Sequence, residues 1–240
     1  MYGHARTLIL HHNLLISHHG PGIITLIMAL QVCETFYSLL GESTWAGLPA
    51  FFIRLTGCNL RCSYCDTTYA YEGGKEIAAG ELVKAAASHP ARRVLVTGGE
   101  PLLQTGTLPL LASLADQGLT VLLETNGSQP IREVDVRVHH ILDLKCPGSG
   151  MESYNLWDNL EHLRNGDEIK FVITDNADFA WALKVIKRHN LAGRVPLLIS
   201  PVFGAVPPRE AAAWILASGL PLRLNLQLHK YIWGPEVRGV

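Results

Sequence analysis

The sequence has few of the features that mark secreted, membrane-spanning or nucleic-acid-binding proteins. Only five of its 240 residues are cysteine. Three of these lie within one short segment, residues 58–65, rather than spread out as in a disulfide framework. Acidic and basic residues nearly cancel, 21 against 20, so the chain has no general attraction for nucleic acid or an anionic membrane. We therefore expect a cytoplasmic protein that acts on a small molecule.

Long hydrophobic runs are also absent. The apolar stretch at residues 23–30 is shorter than the roughly 20 residues that a transmembrane helix needs. It also lacks the basic start and the small-residue cleavage site of a secretory signal. Because strand-like sequence begins at Met28, we expect residues 1–27 to be a disordered extension upstream of the natural start. Residues 28–240 are then expected to form a single domain.

From residue 49 onward, short β-branched runs alternate with amphipathic helical patterns. This alternation is typical of βαβ units and a mostly parallel sheet, in which sites are built at the carboxyl ends of the strands. The helical patterns predict helices at residues 81–89, 108–117, 179–190 and 209–218. The β-branched runs predict strands at residues 50–56, 93–97, 120–124, 140–145, 168–174, 196–200 and 222–228.

Cys58, Cys62 and Cys65 form the most informative motif. Three thiolates at CxxxCxxC spacing can hold three irons of a cubane cluster and leave the fourth iron open, since such clusters normally take four protein ligands. Zinc is the alternative, because a CxxC pair in a loop is also a zinc ligand pair. Its fourth ligand would have to come from a more distant histidine. The other two cysteines, Cys33 and Cys146, are expected to be small buried hydrophobes.

A glycine-rich turn, from Gly98 to Pro101, follows the second predicted strand. Two glycines allow close approach to the backbone, and Glu100 adds an acidic group. The same residues are compatible with an ordinary strand-to-helix turn in which Pro101 takes the first helical position. The position of the turn one strand after the cysteines favours a cofactor site.

The cysteine triplet with Tyr64, together with the glycine turn, resembles the signature of the radical S-adenosylmethionine superfamily. This resemblance implies an α/β fold, a modified partial (βα)6 TIM-like barrel. It also implies a [4Fe–4S] cluster and S-adenosylmethionine at the open iron, whose reductive cleavage yields a radical that abstracts hydrogen. The implied cofactor contacts are Tyr64, Cys65, Asp66, Gly98, Gly99, Glu100, Glu124, Asp143, Lys145, Ser200 and Val202.

Other segments resemble the 7-carboxy-7-deazaguanine synthase family within that superfamily. They are residues 34–47, 52–60, 143–150 and 227–233. The resemblance implies a lyase that converts 6-carboxy-5,6,7,8-tetrahydropterin into 7-carboxy-7-deazaguanine with loss of ammonia, in 7-deazapurine and queuosine biosynthesis. It further implies a homodimer and an electron donor such as flavodoxin or ferredoxin.

The implied substrate contacts suit a carboxylated pterin. Glu42 can accept hydrogen bonds from pterin N–H groups, and Arg54 offers a planar fork to a carboxylate. Thr67 is the implied ligand of Mg²⁺, an ion that prefers oxygen. The implied substrate-binding residues are Leu39, Leu40, Gly41, Glu42, Arg54, Thr97, His229 and Pro235.

Two features depart from the family pattern. Leu40 stands where many relatives carry glutamine, so a backbone group would have to replace a side-chain hydrogen bond. The chain also continues beyond Pro235, which puts in question any contact made by a terminal carboxylate. Two other functions stay open, a glycyl-radical-enzyme activase with a protein substrate and a non-enzymatic zinc-binding domain.

Overall fold

The computed structural model describes residues 15–18 and 24–240. Leu15–His18 (β1) and Ile24–Ile27 (β2) pair antiparallel as a separate two-stranded sheet. Both strands fall in the segment expected to be a disordered extension, whose remaining residues, 1–14 and 19–23, lie outside the described part of the chain. The expectation for residues 1–27, with a start at Met28, stays a prediction.

A nine-stranded mixed sheet is the frame of the domain, in the order β11-β10-β9-β8-β7-β6-β4-β3-β5. Near one edge, β3 runs antiparallel to both of its neighbours, β4 and β5, and the other pairs of adjacent strands are parallel. The strands are β3 (Ala29–Leu39), β4 (Pro49–Leu55), β5 (Lys75–Ala78), β6 (Arg93–Gly98), β7 (Thr120–Thr125), β8 (His139–Lys145), β9 (Glu168–Ile173), β10 (Leu197–Pro201) and β11 (Leu222–Leu224).

The seven predicted strands are all present, but the last was predicted too long. β11 ends at Leu224, and the chain then leaves the sheet because the Leu228 N–H donates to the Gly41 carbonyl oxygen at 2.8 Å. That bond ties the segment to the loop after β3 and starts a short helix. The sequence pattern could not show it, because the two residues are far apart in the chain.

All four predicted helices are confirmed, and one short helix was missed. In the third, the side chain of Asp175 caps the amino end by accepting from the Asp178 N–H at 2.9 Å. Within the described residues, the connections β7–β8 and β8–β9 contain no α-helix, and none of the helices is long and apolar enough to cross a bilayer. The helices are α1 (Ala79–Ala87), α2 (Thr107–Asp116), α3 (Asn176–Arg188), α4 (Pro208–Ser218) and α5 (Leu228–Ile232).

The two faces of the sheet carry different side chains. In β6, Val94 and Val96 belong to the large apolar core under the helices, whereas Leu95 belongs to a second cluster on the other face. Thr97, two residues further on, points to the same side as Leu95 because side chains alternate along a strand. The second cluster therefore forms an apolar floor, and the polar residues above it lie nearer the carboxyl ends of the strands. The floor consists of Leu40, Ala50, Phe52, Leu95, Leu122 and Ile141, with Phe36 and Trp45 packed against it.

Candidate active site

A cavity of about 740 Å³ opens at the carboxyl ends of the parallel strands. Its volume lies within the roughly 300–1,000 Å³ of small-molecule sites. Every predicted site residue except Glu100 lines it. The tertiary structure thus brings together the residues predicted for the cluster, for S-adenosylmethionine, for the substrate and for magnesium.

The cysteine loop follows β4 directly. Cys58, Cys62 and Cys65 are half-buried and border the cavity, while Leu60 between them is 1% exposed and anchors the loop. The Arg61 guanidinium donates to the carbonyl oxygens of Cys58 and Leu60 at 2.8 and 2.7 Å. The three cysteines therefore line the cavity, and hydrogen bonds within the loop hold its backbone in place.

The glycine turn supports the cysteine loop from the next strand. A Cβ on Gly99 would lie 2.8 Å from Cys58 Cβ and would collide with the Gly57 carbonyl, so a larger residue does not fit here. The Glu100 N–H donates to the same Gly57 oxygen at 2.7 Å. Close backbone contact between two strand ends is the physical reason for glycine at this position.

The loop after β8 holds the cysteine loop from the other side. Ser63 donates from its hydroxyl to the Gly148 carbonyl oxygen at 2.7 Å and from its N–H to the Ser149 oxygen at 3.1 Å. The Gly148 N–H in turn donates to Asp178 Oδ1 at 2.8 Å, at the start of α3. Three separate strand ends thus converge on the cysteines.

The three thiols fit an iron–sulfur cluster better than a single zinc ion. No group of three or more His, Cys, Asp or Glu side chains among the described residues is arranged to hold one metal ion, whereas a closed zinc site needs four ligands around one centre. In a cubane each thiolate binds a different iron, so the sulfurs border a common space without meeting at a point. Burial raises the pKa of Cys62, and the nearby Lys145 ammonium opposes that rise.

Glu100 is the one predicted site residue that lies outside the cavity lining. Its carboxylate is fully buried and accepts hydrogen bonds from the Leu102 N–H at 2.9 Å, from the Asn126 N–H at 2.6 Å and from the Thr125 hydroxyl. Burial raises its pKa to about 7 against the pull of these donors. Glu100 thus connects the turns after β6 and β7, and its contact with the cofactor stays a prediction.

Lys170 lies at the centre of the cavity's charged wall, and the sequence analysis missed it. Its ammonium is 2.8 Å from Glu42 Oε2 and 3.3 Å from Asp143 Oδ1, and it also binds Glu124. Lys145 Nζ binds the other Asp143 oxygen at 2.9 Å. Burial alone would lower the pKa of Lys170, but the three carboxylates outweigh it and raise the pKa well above its usual value. Lys170 is therefore a permanent cation between residues predicted for the cofactor and for the substrate.

Asp66 and Thr67 form a second polar group at the cavity, beside α5. Asp66 accepts from Lys230 Nζ at 2.6 Å, from Gln227 Nε2 at 2.9 Å and from the Thr67 hydroxyl at 2.9 Å. Burial would raise the pKa of Asp66, but Lys230 and the hydrogen bonds lower it below its usual range. The Thr67 oxygen keeps free lone pairs, which a magnesium ligand requires. Gln227 and Lys230 were also missed as site residues.

Arg54 lines the cavity from β4, near Tyr69. Its Nε donates to Glu34 Oε1 at 2.8 Å, and the Tyr69 hydroxyl donates to the same oxygen at 3.1 Å. Thr97, on the adjacent strand, donates to Glu124 at 3.0 Å. The guanidinium is thus held through one edge only, and its remaining N–H groups stay available to a ligand carboxylate.

Two residues predicted to bind the substrate, Leu40 and His229, are placed differently from what the sequence pattern suggested. Leu40 lies in the apolar floor, and its N–H and C=O already pair with Leu48 and Gly47, each at 2.8 Å. The Leu40 N–H is therefore already engaged, whereas its carbonyl oxygen keeps a second lone pair that can accept a hydrogen bond in place of the glutamine side chain. His229 lies in α5 rather than at the end of a strand, and a Cβ on Gly41 would collide with its imidazole. Burial lowers the pKa of His229.

The chain beyond Pro235 forms one wall of the cavity, which residues 235–240 all line. Within this segment, the Arg238 guanidinium carbon lies 4.0 Å from the centre of the Tyr69 ring. No sequence motif marked this segment, because its role depends on where the tail returns to the sheet.

Comparison with known proteins agrees with this geometry. Residues 52–143 match the Radical SAM superfamily. A 7-carboxy-7-deazaguanine synthase from Chlorobaculum tepidum is 46% identical over 214 residues, 88% of this chain and 97% of that relative. The protein of the same name from Koribacter versatilis is 41% identical over 226 residues, 88% of this chain and all of that relative.

A solved structure confirms the fold. QueE from Escherichia coli is similar with a TM-score of 0.70 and 24% identity, over 82% of this chain and 93% of that one. At this identity the likeness concerns architecture alone, and it confirms the partial barrel predicted from the sequence. The matches favour neither the activase nor the zinc-binding alternative.

Proposed function

The chain belongs to the 7-carboxy-7-deazaguanine synthase family of radical S-adenosylmethionine enzymes, and from that premise we propose that it converts 6-carboxy-5,6,7,8-tetrahydropterin into 7-carboxy-7-deazaguanine with loss of ammonia. The observation that carries the proposal is that the cysteine loop, Glu42 and Arg54 border one cavity. A reaction of this kind needs the radical source and the substrate side by side.

On the cofactor side, Cys58, Cys62 and Cys65 would hold the [4Fe–4S] cluster. When bound, the cluster and S-adenosylmethionine supply the radical that takes a hydrogen atom from the substrate. The turn at Gly99 keeps the approach to Cys58 free of side chains. Asp143 on β8 and Ser200 on β10, which both line the cavity, would accept from the cofactor's donors.

On the substrate side, Glu42 would accept hydrogen bonds from the pterin's N–H groups. Lys170 and Gln227 already hold this carboxylate, at 2.8 and 2.9 Å, so its direction is set before a ligand arrives. Arg54 would bind the substrate carboxylate, and Thr67 would be the protein ligand of Mg²⁺. Neutral His229, packed on the backbone at Gly41, would close the same side against water.

The surroundings of the enzyme are part of the proposal. The protein would work in the cytoplasm as a homodimer and would receive its electrons from a flavodoxin or a ferredoxin. A cytoplasmic location is consistent with free thiols at all three loop cysteines.

Anaerobic turnover tests the proposed function. Cluster-loaded enzyme is mixed with the carboxytetrahydropterin, S-adenosylmethionine, magnesium and a reductant, and carboxydeazaguanine and ammonia are measured. We expect both products in equal amounts, and none when S-adenosylmethionine is left out. A fully loaded enzyme that forms neither product would reject the assignment.

A further inference from the structure

We propose that Arg238 is a second binding group for the substrate's carboxylate, which it would hold together with Arg54. The inference rests on the proposed function and extends it to a part of the chain that no motif marked. It makes the segment beyond Pro235 a determinant of which pterin is bound.

The two guanidinium groups lie on the same tyrosine. Arg238 Cζ is 4.0 Å from the centre of the Tyr69 ring, and Arg54 Cζ is 5.9 Å from it. Tyr69 is held in place by its hydroxyl, which donates to Glu34 at 3.1 Å. Arg54, Tyr69 and Arg238 all line the cavity, whereas Glu34 does not, so a ligand at Tyr69 would be within reach of both arginines.

The two arginines differ in how their charges are paired. Glu34 pairs with Arg54, but Arg238 forms an ion pair with no carboxylate among the described residues. Glu236, the other acidic residue of the tail, also lines the cavity and pairs with neither arginine there. Within the described part of the chain, Arg238 is therefore a cation of the cavity lining that no carboxylate contacts directly.

The strands next to Arg54 carry more acidic than basic groups, beginning with Glu124, which accepts from Thr97, the register partner of Arg54. There, Lys145 and Lys170 face the carboxylates of Glu42, Glu124 and Asp143. A ligand with one carboxylate is therefore repelled by those carboxylates and attracted to the two arginines at Tyr69. The field across the cavity would orient a carboxylated pterin with its carboxylate toward Arg54 and Arg238.

Simple stacking is the alternative explanation for Arg238. A guanidinium over an aromatic face is favourable by itself, and it would then only hold the tail in place. The two explanations differ in one measurable respect. Stacking affects all ligands of the cavity alike, whereas a carboxylate-binding role affects only ligands that carry the carboxylate.

Binding of two stable pterins separates these explanations. Reconstituted enzyme with S-adenosylmethionine is titrated with 6-carboxypterin and with unsubstituted pterin, followed by pterin fluorescence. For Arg238→Gln we expect affinity for 6-carboxypterin to fall about tenfold, as for loss of one charge-assisted hydrogen bond, with affinity for pterin unchanged. Arg238→Lys should recover part of the loss. Arg209→Gln, an exposed arginine on α4 away from the cavity, is the matched control.

The outcomes also separate this inference from the proposed function. If Arg238→Gln binds 6-carboxypterin as the wild type does, or loses affinity for both pterins equally, the carboxylate role of Arg238 is wrong while the pterin site stands. If the wild type binds neither pterin, the proposed function fails and this inference fails with it.

Discussion

The two faces of the parallel sheet contain the same strands but opposite chemistry. In β9, Phe171 is fully buried in the outer apolar core, and its neighbour Lys170 binds three carboxylates on the cavity side. One step along a strand therefore separates hydrocarbon packing from an ion network. We call the side of the sheet under the helices the outer face and the cavity side the inner face. Apolar packing on the outer face stabilises the fold, and that stability allows the inner face to hold charges that contribute little to the stability of the fold.

The inner face also shows how such a network is tolerated. Buried charges are costly unless each has a partner, and Lys170 and Lys145 supply partners for Glu42, Glu124 and Asp143. A buried ion network of this kind is weak support for stability compared with apolar packing of similar volume. We therefore explain this ion network by its role in orienting the carboxylates of Glu42, Glu124 and Asp143.

The largest effect on activity should come from removing one of the three loop thiols that line the cavity. We expect Cys62→Ala to abolish S-adenosylmethionine cleavage and to lower the iron and sulfide content, because a cluster held by two thiolates is incomplete. Thermal stability of the apoprotein should change little, since Cys62 is only half-buried. Cys33→Ala, at a half-buried cysteine outside the cysteine loop and outside the cavity lining, is the control. Cleavage at the wild-type rate by Cys62→Ala would disprove the cluster role.

Lys170→Met removes the ammonium group that pairs with three carboxylates of the inner face. Removing one partner of a buried ion network costs about 3–5 kcal/mol, and we expect kcat/KM to fall roughly 100-fold or more as the carboxylates lose their orientation. Lys170→Arg keeps the charge and should retain part of the activity. Steady-state kinetics with urea unfolding of each variant measures both effects. Wild-type kinetics in Lys170→Met would show that the network does not position the site.

Phe171→Ala is the matched change on the outer face, one residue away. A cavity left by a buried phenylalanine costs about 3–5 kcal/mol of unfolding free energy. We expect that loss in urea unfolding, together with a nearly unchanged KM at temperatures where the variant is folded. A large rise in KM without loss of stability would contradict the division of the two faces.

The smallest effect concerns Glu100, at the edge between the two faces. Burial raises its pKa from 4.5 to about 7, so between these values the folded state keeps a proton that the unfolded state has released. Its contribution to unfolding free energy therefore falls as pH rises from about 4.5 to about 7, by roughly 3 kcal/mol. Glu100→Gln should remove this slope, whatever its overall stability. Glu81→Gln, exposed on α1, should retain it, and an unchanged slope in Glu100→Gln would show that another group titrates.

Local patterns in the sequence were sufficient for seven strands of the main sheet, four helices and the cysteine loop, but they did not predict β3 and β5. Alternation, helical spacing and the glycine turn depend on neighbouring residues, and so does the CxxxCxxC spacing that placed three thiols on one loop. The shared sheet edge followed from the parallel βα pattern, since all its strands end on one side. Because the motifs around Cys58 and Gly99 are local and follow adjacent strands, their resemblance to a cofactor site could be recognised from the sequence.

The partners of the site residues were decided only by the tertiary structure. Glu42 meets Lys170 across 128 positions of the chain, and Asp66 meets Lys230 across 164. The alternation along a strand cannot show which charges face one another, because that depends on strand order and register. The place of Arg238 over Tyr69 depends on the return of the chain to the cavity, a long-range contact that leaves no local pattern in the sequence.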